Sequence, residues 1–560
     1  MRTVTLFVGL FLAAANLSCG GGSGSNGSAP QPPSTPTSTS LSISNVSAGD
    51  VNGSSGVVTW TTNLPSTSQV EYGTSPSYGS ITALDSTVVT NHSVVVTGLK
   101  PGTVYHYRVH SSDDSSQAES GDGSFSTPAA ASATAPLCST PPAGQLVNAT
   151  PTNYKSLMSK LQPGDTLALA AGNYPGLYIS GLRGSSSQCI VITGPSSGSP
   201  AVIQNVPGTN TVEIVNSSFL AIENLTIDSL GVDGAFGISA KGASNLTYDI
   251  LIQGNTLVGQ GASQQTDGIS TKLPTWGWVI RQNKIIGAGT GIYLGNSDGS
   301  DPFIAGYIED NLIEYPIGYC MEIKYQLPWP SVAGIPTSPT STIIRNNVFI
   351  KNDQPSPDGD RPNLLVGGFP SSGPGSSNLY EIYGNFFYHN PREALFQGAG
   401  RISFHDNILV DGQYAAAVFR SQDLPLELAY VYNNTVYTTQ SGIYFGSLAA
   451  TGDAVIGNLV FAATPISGSI AHQSDNITDT FANASQYVNL PALTLGSMNF
   501  YPLLGKADGT PLDLSPFAAN ADYTLDFNRT SKGIFTFRGA YAGAGSNSGW
   551  QLQAAIKPVL

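Results

Sequence analysis

Glu322 and Lys324 stand two residues apart in Tyr319-Cys-Met-Glu-Ile-Lys-Tyr325, and Arg361 opens the next apolar segment, Asn-Leu-Leu-Val-Gly-Gly (363–368). On an extended strand, alternation sends Tyr319, Met321, Ile323 and Tyr325 into a core. Glu322 and Lys324 then face outward, roughly 6–7 Å apart. A carboxylate, an ammonium and a guanidinium on one surface suit chemistry beside a substrate carboxylate. They can neutralise it, take the adjacent proton and return one to a leaving oxygen. Aligning Gly-Ile-Ser-Thr (268–271) and Gly-Ile-Tyr-Leu (291–294) with this strand brings Lys272 and Asn296 to the same face. Trp329, in a Pro-flanked loop, can stack on a sugar ring or pin its loop, and one of Trp276 and Trp278, which alternate on one face, can stack likewise. Glu393 and His405 fall near the same segments, with a hydrogen-bonded structural role as the alternative. Asp267, Glu309 and Asp310 read as turn residues, and Glu322–Lys324 itself has an alternative as an ion pair on a solvated face, worth little.

Such residues converge only if the segments stack. The frame apolar-x-x-Asn-x-apolar recurs eight times, with asparagines at 255, 283, 311, 347, 385, 407, 434 and 458, at gaps of 28, 28, 36, 38, 22, 27 and 24 residues. A repeat of this length without helical periodicity predicts a solenoid whose neighbours bury each other's apolar faces. Asparagine suits its corners, tolerating left-handed backbone and bonding amide to amide between coils about 4.8 Å apart. A second strand file accompanies it through GIST, GIYL, CMEIK, NLLVGG, ALFQG, AVFRS and GIYFG. The pattern reads as an all-β parallel β-helix. The short amphipathic stretch 154–161 is placed to cover its open end.

The two long gaps are adjacent and insert 326–342 and 352–362, with a further Gly/Pro/Ser stretch at 369–377. Stacked long loops wall a cleft. Charge gathers there, with 19 Asp, Glu, Lys and Arg in residues 296–411 against 10% charged overall. Net charge is −14, which argues against nucleic acid as a partner.

Residues 1–19 read as an export signal, with Arg2, an apolar run from Val4 to Ala15 too short to span a bilayer, and Cys19. Residues 20–40 form a Gly/Ser then Pro/Thr tether. From 41 to 128, short alternating strands predict a β-sandwich, followed by a linker at 129–144 and the solenoid from 145 to 560. Cys138 and Cys189 can pair in an oxidising compartment, whereas Cys320 reads as an unpaired thiol.

Several segments carry family resemblances. Ala-Asn-Leu-Ser-Cys19 resembles a bacterial lipoprotein cleavage site, with Leu17 one place nearer the cysteine than usual; the alternative is an ordinary signal cut near Ala15. With Gly20 following, the resemblance implies an outer-membrane or cell-surface lipoprotein that touches the membrane only through its lipid. Leu99-Lys-Pro-Gly-Thr-Val-Tyr105 with Trp60 resembles a fibronectin type III domain, a spacer or an adhesion module. The same sandwich precedes some metallophosphatases, whose metal clusters do not appear downstream. Residues 161–184 leading into Cys-Ile-Val-Ile-Thr-Gly-Pro (189–195), and Asp526-Phe-Asn-Arg with Phe537-Arg-Gly-Ala-Tyr-Ala-Gly-Ala-Gly545, resemble the two ends of right-handed parallel β-helix polysaccharide lyases of the chondroitinase B and alginate lyase type. That resemblance implies Lys324 as base, Arg361 as acid or charge stabiliser, and a calcium ion held by oxygens of Glu322 and Asn296. The departures are a Lys two residues after Glu322 instead of five, and Cys320 where the family has a glutamate. Lys272, Trp329, Glu393 and His405 become substrate-binding candidates for a uronic-acid polysaccharide, acted on by a monomer. A glycoside hydrolase would need a carboxylate pair about 5–5.5 or 6.5–9.5 Å apart, for which Asp298/Asp301 and Asp358/Asp360 are candidates. A non-catalytic glycan-binding or adhesion protein is the third class.

Overall fold

The computed structural model describes residues 40–49, 55–97, 99, 103–126, 137–139, 142–242 and 245–558. The export signal, Cys19, nearly all of the tether and much of the 129–144 linker lie outside the described residues.

The N-terminal unit is a sandwich of antiparallel sheets that share the long strand Ser55–Gly73. Its first part pairs with Ile43–Gly49 and Asp85–Thr97, and its last part with Val104–Ser112. Alternation in Val104–Ser112 sends Tyr105, Tyr107 and Val109 inward, where they meet Val58, Trp60, Val70 and Phe125.

The remainder is a parallel β-helix. Three parallel sheets of 11, 12 and 13 strands wind around one core. We call them front, flank and rear. The front runs from Leu177–Ser180 to Thr464–Gly468, the flank from Gly172–Pro175 to Ile477–Asp479, and the rear from Leu146–Ala149 to Gln473–Ser474. Strict register stacks like on like. On the front, Ile238, Ile269, Ile292, Met321, Leu364 and Phe396 form one inward file, all unexposed. The helix Tyr154–Met158 buries Tyr154 and Met158 against the first coils.

Between rear and flank runs the asparagine column. Each side-chain amide donates to the next asparagine's carbonyl oxygen at 2.9–3.1 Å, from Asn255 through Asn283, Asn311, Asn347, Asn385, Asn407, Asn434 and Asn458 to Asn476. Each also donates to a backbone carbonyl of the preceding coil, as Asn347 does to Ile308 at 2.8 Å. One expectation needs correction. The left-handed residue is the one before each asparagine, as at Gln282, Asp310, Asn346, Asp406 and Asn433, with glycine at 254, 384 and 457. The asparagine is kept for its buried amide.

After Asp479 the chain turns back over the outside. Phe500, Phe527, Ala540 and Tyr541 pack on the outward flank file of Leu312, Val348, Phe386, Ile408 and Leu459. Ion pairs tie the segment down: Asp310–Arg529 at 3.0 Å, Asp522–Arg345 at 3.0 Å and Asp406–Lys532 at 2.6 Å. Asp310 and Glu309, the latter 2.7 Å from Arg345, thus serve this attachment as well as their turn. Cys138 and Cys189 are disulfide-bonded, and Cys320 is free and buried.

Replacing Asn347 by Leu removes the acceptor shared by the Asn311 backbone and side-chain donors, and the amide donor to the Ile308 carbonyl, in a dry interior. The expected loss is roughly 3–5 kcal/mol, read as a lower urea midpoint for the solenoid. An unmoved midpoint would show that the column does not hold the coils.

Candidate functional site

The front face carries the chemistry. Register places Ser270, Tyr293, Glu322 and Leu365 in one outward file on four successive coils. A neighbouring file holds Asp267, with Thr290 opposite it on the next coil, and Lys272 and Lys324 stand on the other side. Lys324 Nζ donates to Glu322 Oε1 at 2.8 Å, with the lysine side chain 19% and the glutamate 3% exposed. A solvated pair is therefore not what the strand presents. Breaking a buried pair of this kind costs several kcal/mol, against at most about 1 for an exposed one. Burial pushes the Glu322 carboxyl upward, opposed by Lys324 and then Arg361.

Tyr293 and Tyr319 complete the enclosure. Lys272 Nζ lies 4.9 Å and Lys324 Nζ 5.9 Å from the centre of the Tyr293 ring. Arg361 covers the Tyr319 ring at 5.6 Å. Burial raises both phenols, and the Glu322 charge raises them further. Tyr319 was expected in the core. The strand is only Met321–Ile323, so alternation stops short of it, and the ring turns outward against Arg361.

Arg361 is positioned by its own loop. Its guanidinium donates to the carbonyls of Asp360 at 3.0 Å and Asp358 at 2.9 Å. Lys351 holds the Arg361 carbonyl at 2.9 Å, and Gln264 bonds Gly359 and Asp358 across two coils. The 352–362 insertion is thereby moored beside Asp267.

Asp267, read from sequence as a turn residue, is the group that reasoning missed. It is 3% exposed. Its Oδ2 has no hydrogen-bond partner and lies 3.8 Å from Lys272 Nζ. Burial lifts its carboxyl to about 7, against the opposing pull of Lys272 and Ser270 and with a small push from Glu322. The signal available was the strand alignment itself, which runs one residue past Gly268.

A groove of about 760 Å³ adjoins this strip at the corner between front and rear. Lys272, Pro274, Asn296, Ser300 and Asp301 line it, and Pro330–Ala333 of the 326–342 insertion wall it. Asn296 is committed locally, its amide to Asp301 Oδ2 at 3.0 Å and its oxygen to the Ser297 amide at 2.9 Å. Calcium wants six to eight oxygens. Glu322 instead sits among Lys324, Arg361 and Tyr319, and the described residues hold no group of three or more His, Cys, Asp and Glu fit for a metal. The donors around Glu322 do not fit calcium.

Other candidates fall elsewhere. His405 is unexposed, stacked between Tyr383 and Tyr432 at 4.7 and 4.6 Å and bonded to Asp406 at 2.7 Å. It lies on the rear beneath the C-terminal segment and cannot meet a substrate. Glu393 accepts the amide of Ala394 and serves its own turn. Trp329 donates to Gln326 at 3.0 Å and lies against Gly375, where a Cβ would collide with the ring, so it pins the loop. Trp278 is in the core, and Trp276 stacks on Tyr248 at 4.7 Å, so the two tryptophans do not share a face. Asp298 binds Ser300, and Asp360 approaches Arg392 at 3.8 Å; neither joins the cluster.

Residues 42–127 match the family model of the purple acid phosphatase N-terminal domain. A comparison with curated proteins returns no match. Similar solved structures include a pectate lyase at 10% identity and TM-score 0.39, covering 74% of this chain and 97% of that one. A family 28 exopolygalacturonase of Yersinia enterocolitica is 11% identical at TM-score 0.25, covering 78% and 99%. A periplasmic alginate epimerase is 12% identical at TM-score 0.32, covering 60% and 83%. At these identities the likeness reaches no individual side chain of the site.

The raised Asp267 carboxyl has a signed consequence. It adds stability while protonated, in full below about pH 4, and that contribution is lost as pH rises through about 7. Relative to Asp267→Asn, the native protein is expected to lose thermal unfolding midpoint across this window. A difference that stays constant with pH would mean that Asp267 is ionised or solvated.

Proposed function

We propose that this chain is an exported, carbohydrate-active protein that cleaves a uronic-acid polysaccharide by β-elimination on the front face of its solenoid. One observation carries the reading. Three cationic groups, Lys272, Lys324 and Arg361, line one outer strip with two half-buried tyrosines, in a chain whose net charge is −14. Positive charge concentrated against a negative background suits an anionic ligand.

In this reading Lys272 and Arg361 neutralise the uronate carboxylate, which acidifies the C5 proton. Glu322 orients Lys324 as the base through their 2.8 Å contact. Lys324 removes the C5 proton, the C4=C5 double bond forms, and the C4–O4 bond breaks. Tyr293, between the two ammonium groups, returns a proton to O4. The cations do the work that a metal would do. Export is supported by the Cys138–Cys189 disulfide, which belongs to an oxidising compartment, and by the leader with Cys19, through which a lipid would hold the chain at the cell surface.

A specific pair favours a second reading. Asp267 and Glu322 are two buried carboxylates on the same face, two coils and three register positions apart, and an inverting glycosidase uses a carboxylate pair about 6.5–9.5 Å apart. With uronate polymers as substrate, elimination yields unsaturated ends that absorb in the near ultraviolet, and hydrolysis yields reducing ends without that absorbance. We expect the absorbance, and a loss of roughly 10²–10⁴-fold in kcat/KM for Lys324→Gln and for Arg361→Gln. Reducing ends alone, abolished by Asp267→Asn, would replace elimination with hydrolysis. Binding with no new ends would leave a glycan-binding protein.

A further inference from the structure

The lysines of the front face belong to a longer array. Lys241 pairs in register with Lys272 on the next coil. The Phe236 ring lies between them, 5.6 Å from Lys241 Nζ and 4.8 Å from Lys272 Nζ. The equivalent position one coil on is Gly295, where the Tyr293 ring fills the gap, 4.9 Å from Lys272 and 5.9 Å from Lys324. Cation and ring alternate along the solenoid axis: Lys241, Phe236, Lys272, Tyr293, Lys324. Neither Phe236 nor Lys241 belongs to the catalytic reading.

Ring faces hold an ammonium by its charge without consuming its N–H donors. Lys241 is exposed and has no carboxylate partner among the described residues. Lys272 has only the 3.8 Å contact with Asp267. Cations fixed in a line, with donors to spare, are prepared for anions that come in a line. Coils repeat every 4.8 Å or so, and an extended pyranose chain advances by a comparable distance per sugar. The groove of about 760 Å³, with Lys272 in its wall, runs beside the array and spans the same coils from Gly242 to Ala333.

We propose that Lys241, Lys272 and Lys324, clamped by Phe236 and Tyr293, form a track that binds a polyuronate lengthwise along the solenoid axis, with its carboxylates held at the first, second and fourth of four successive coils. The proposal rests on the polyuronate reading above for its ligand, but not on elimination. The Lys241 end lies furthest from Arg361, so it grips the chain remote from the cleaved bond. Ligands with an anion on every sugar fill the track. Those with an anion on alternate sugars leave part of it empty.

Calorimetric titration of the full chain with galacturonate and mannuronate hexamers tests this. Lys241→Gln should weaken binding about threefold, and Lys241→Gln with Phe236→Leu about tenfold. A hyaluronan hexamer should bind the native protein more weakly than the uronates, and maltohexaose not at all. An unchanged unfolding midpoint shows that the double variant is folded. Hexamer binding that is absent, or equal in native and variant proteins, overturns the track. Single-stranded DNA bound with the same lysine dependence overturns its assignment to glycans. Unsaturated ends with unaltered variant binding sink the track and keep elimination; variant-sensitive binding without new ends does the reverse.

Discussion

The register of the coils is the constraint on which everything else depends, and the buried asparagine column sets it. In each unit an amide that cannot reach water bonds the coil before and the coil after, so a slipped coil leaves two or three polar groups orphaned in the core. Apolar stacking alone is permissive, because Ile, Leu, Val and Phe replace one another along the inward files. Directional bonds make the stacking exact to the residue. That precision turns Ser270, Tyr293 and Glu322 into near neighbours and aligns lysines that lie 31 and 52 residues apart (241 to 272, 272 to 324).

The two sides of the solenoid use charge differently. On the rear, Arg345, Asp406 and Glu309 are matched with groups of the returning C-terminal segment or of the next coil, and His405 is entombed with them. Polar groups there are used to attach a strap. On the front, rings separate the cations and the carboxylates are outnumbered. One of them, Asp267, keeps an oxygen without a partner. Natural folds seldom leave buried polar atoms unmatched, and an unmatched carboxylate beside lysines is a reasonable place for a ligand to complete the pairing.

How much of this was legible in the residues depends on range. The asparagine frame and the front strand file are local patterns, and both correspond to real strands at the expected positions. Of the two long insertions, 326–342 walls the groove, whereas 352–362 does not line it and instead carries Arg361. Alternation failed where strands are three residues long, which put Tyr319 on the wrong side of the wall. His405 was misplaced for a different reason: its partner Lys532 is reached through Asp406, 126 positions away in sequence, and no local pattern announces a strap. Phe236 has no signal at all, since it lies in a loop and matters only through the coils above it.

The most direct measurement is a crystal structure with a bound uronate oligomer. The chain should lie along the front face, parallel to the solenoid axis, with carboxylates within hydrogen-bond reach of Lys272 and Lys324 and a sugar ring beside Tyr293. An oligomer lying crosswise, or bound at the rear or on the N-terminal sandwich, would contradict the assignment of the front face as the working surface.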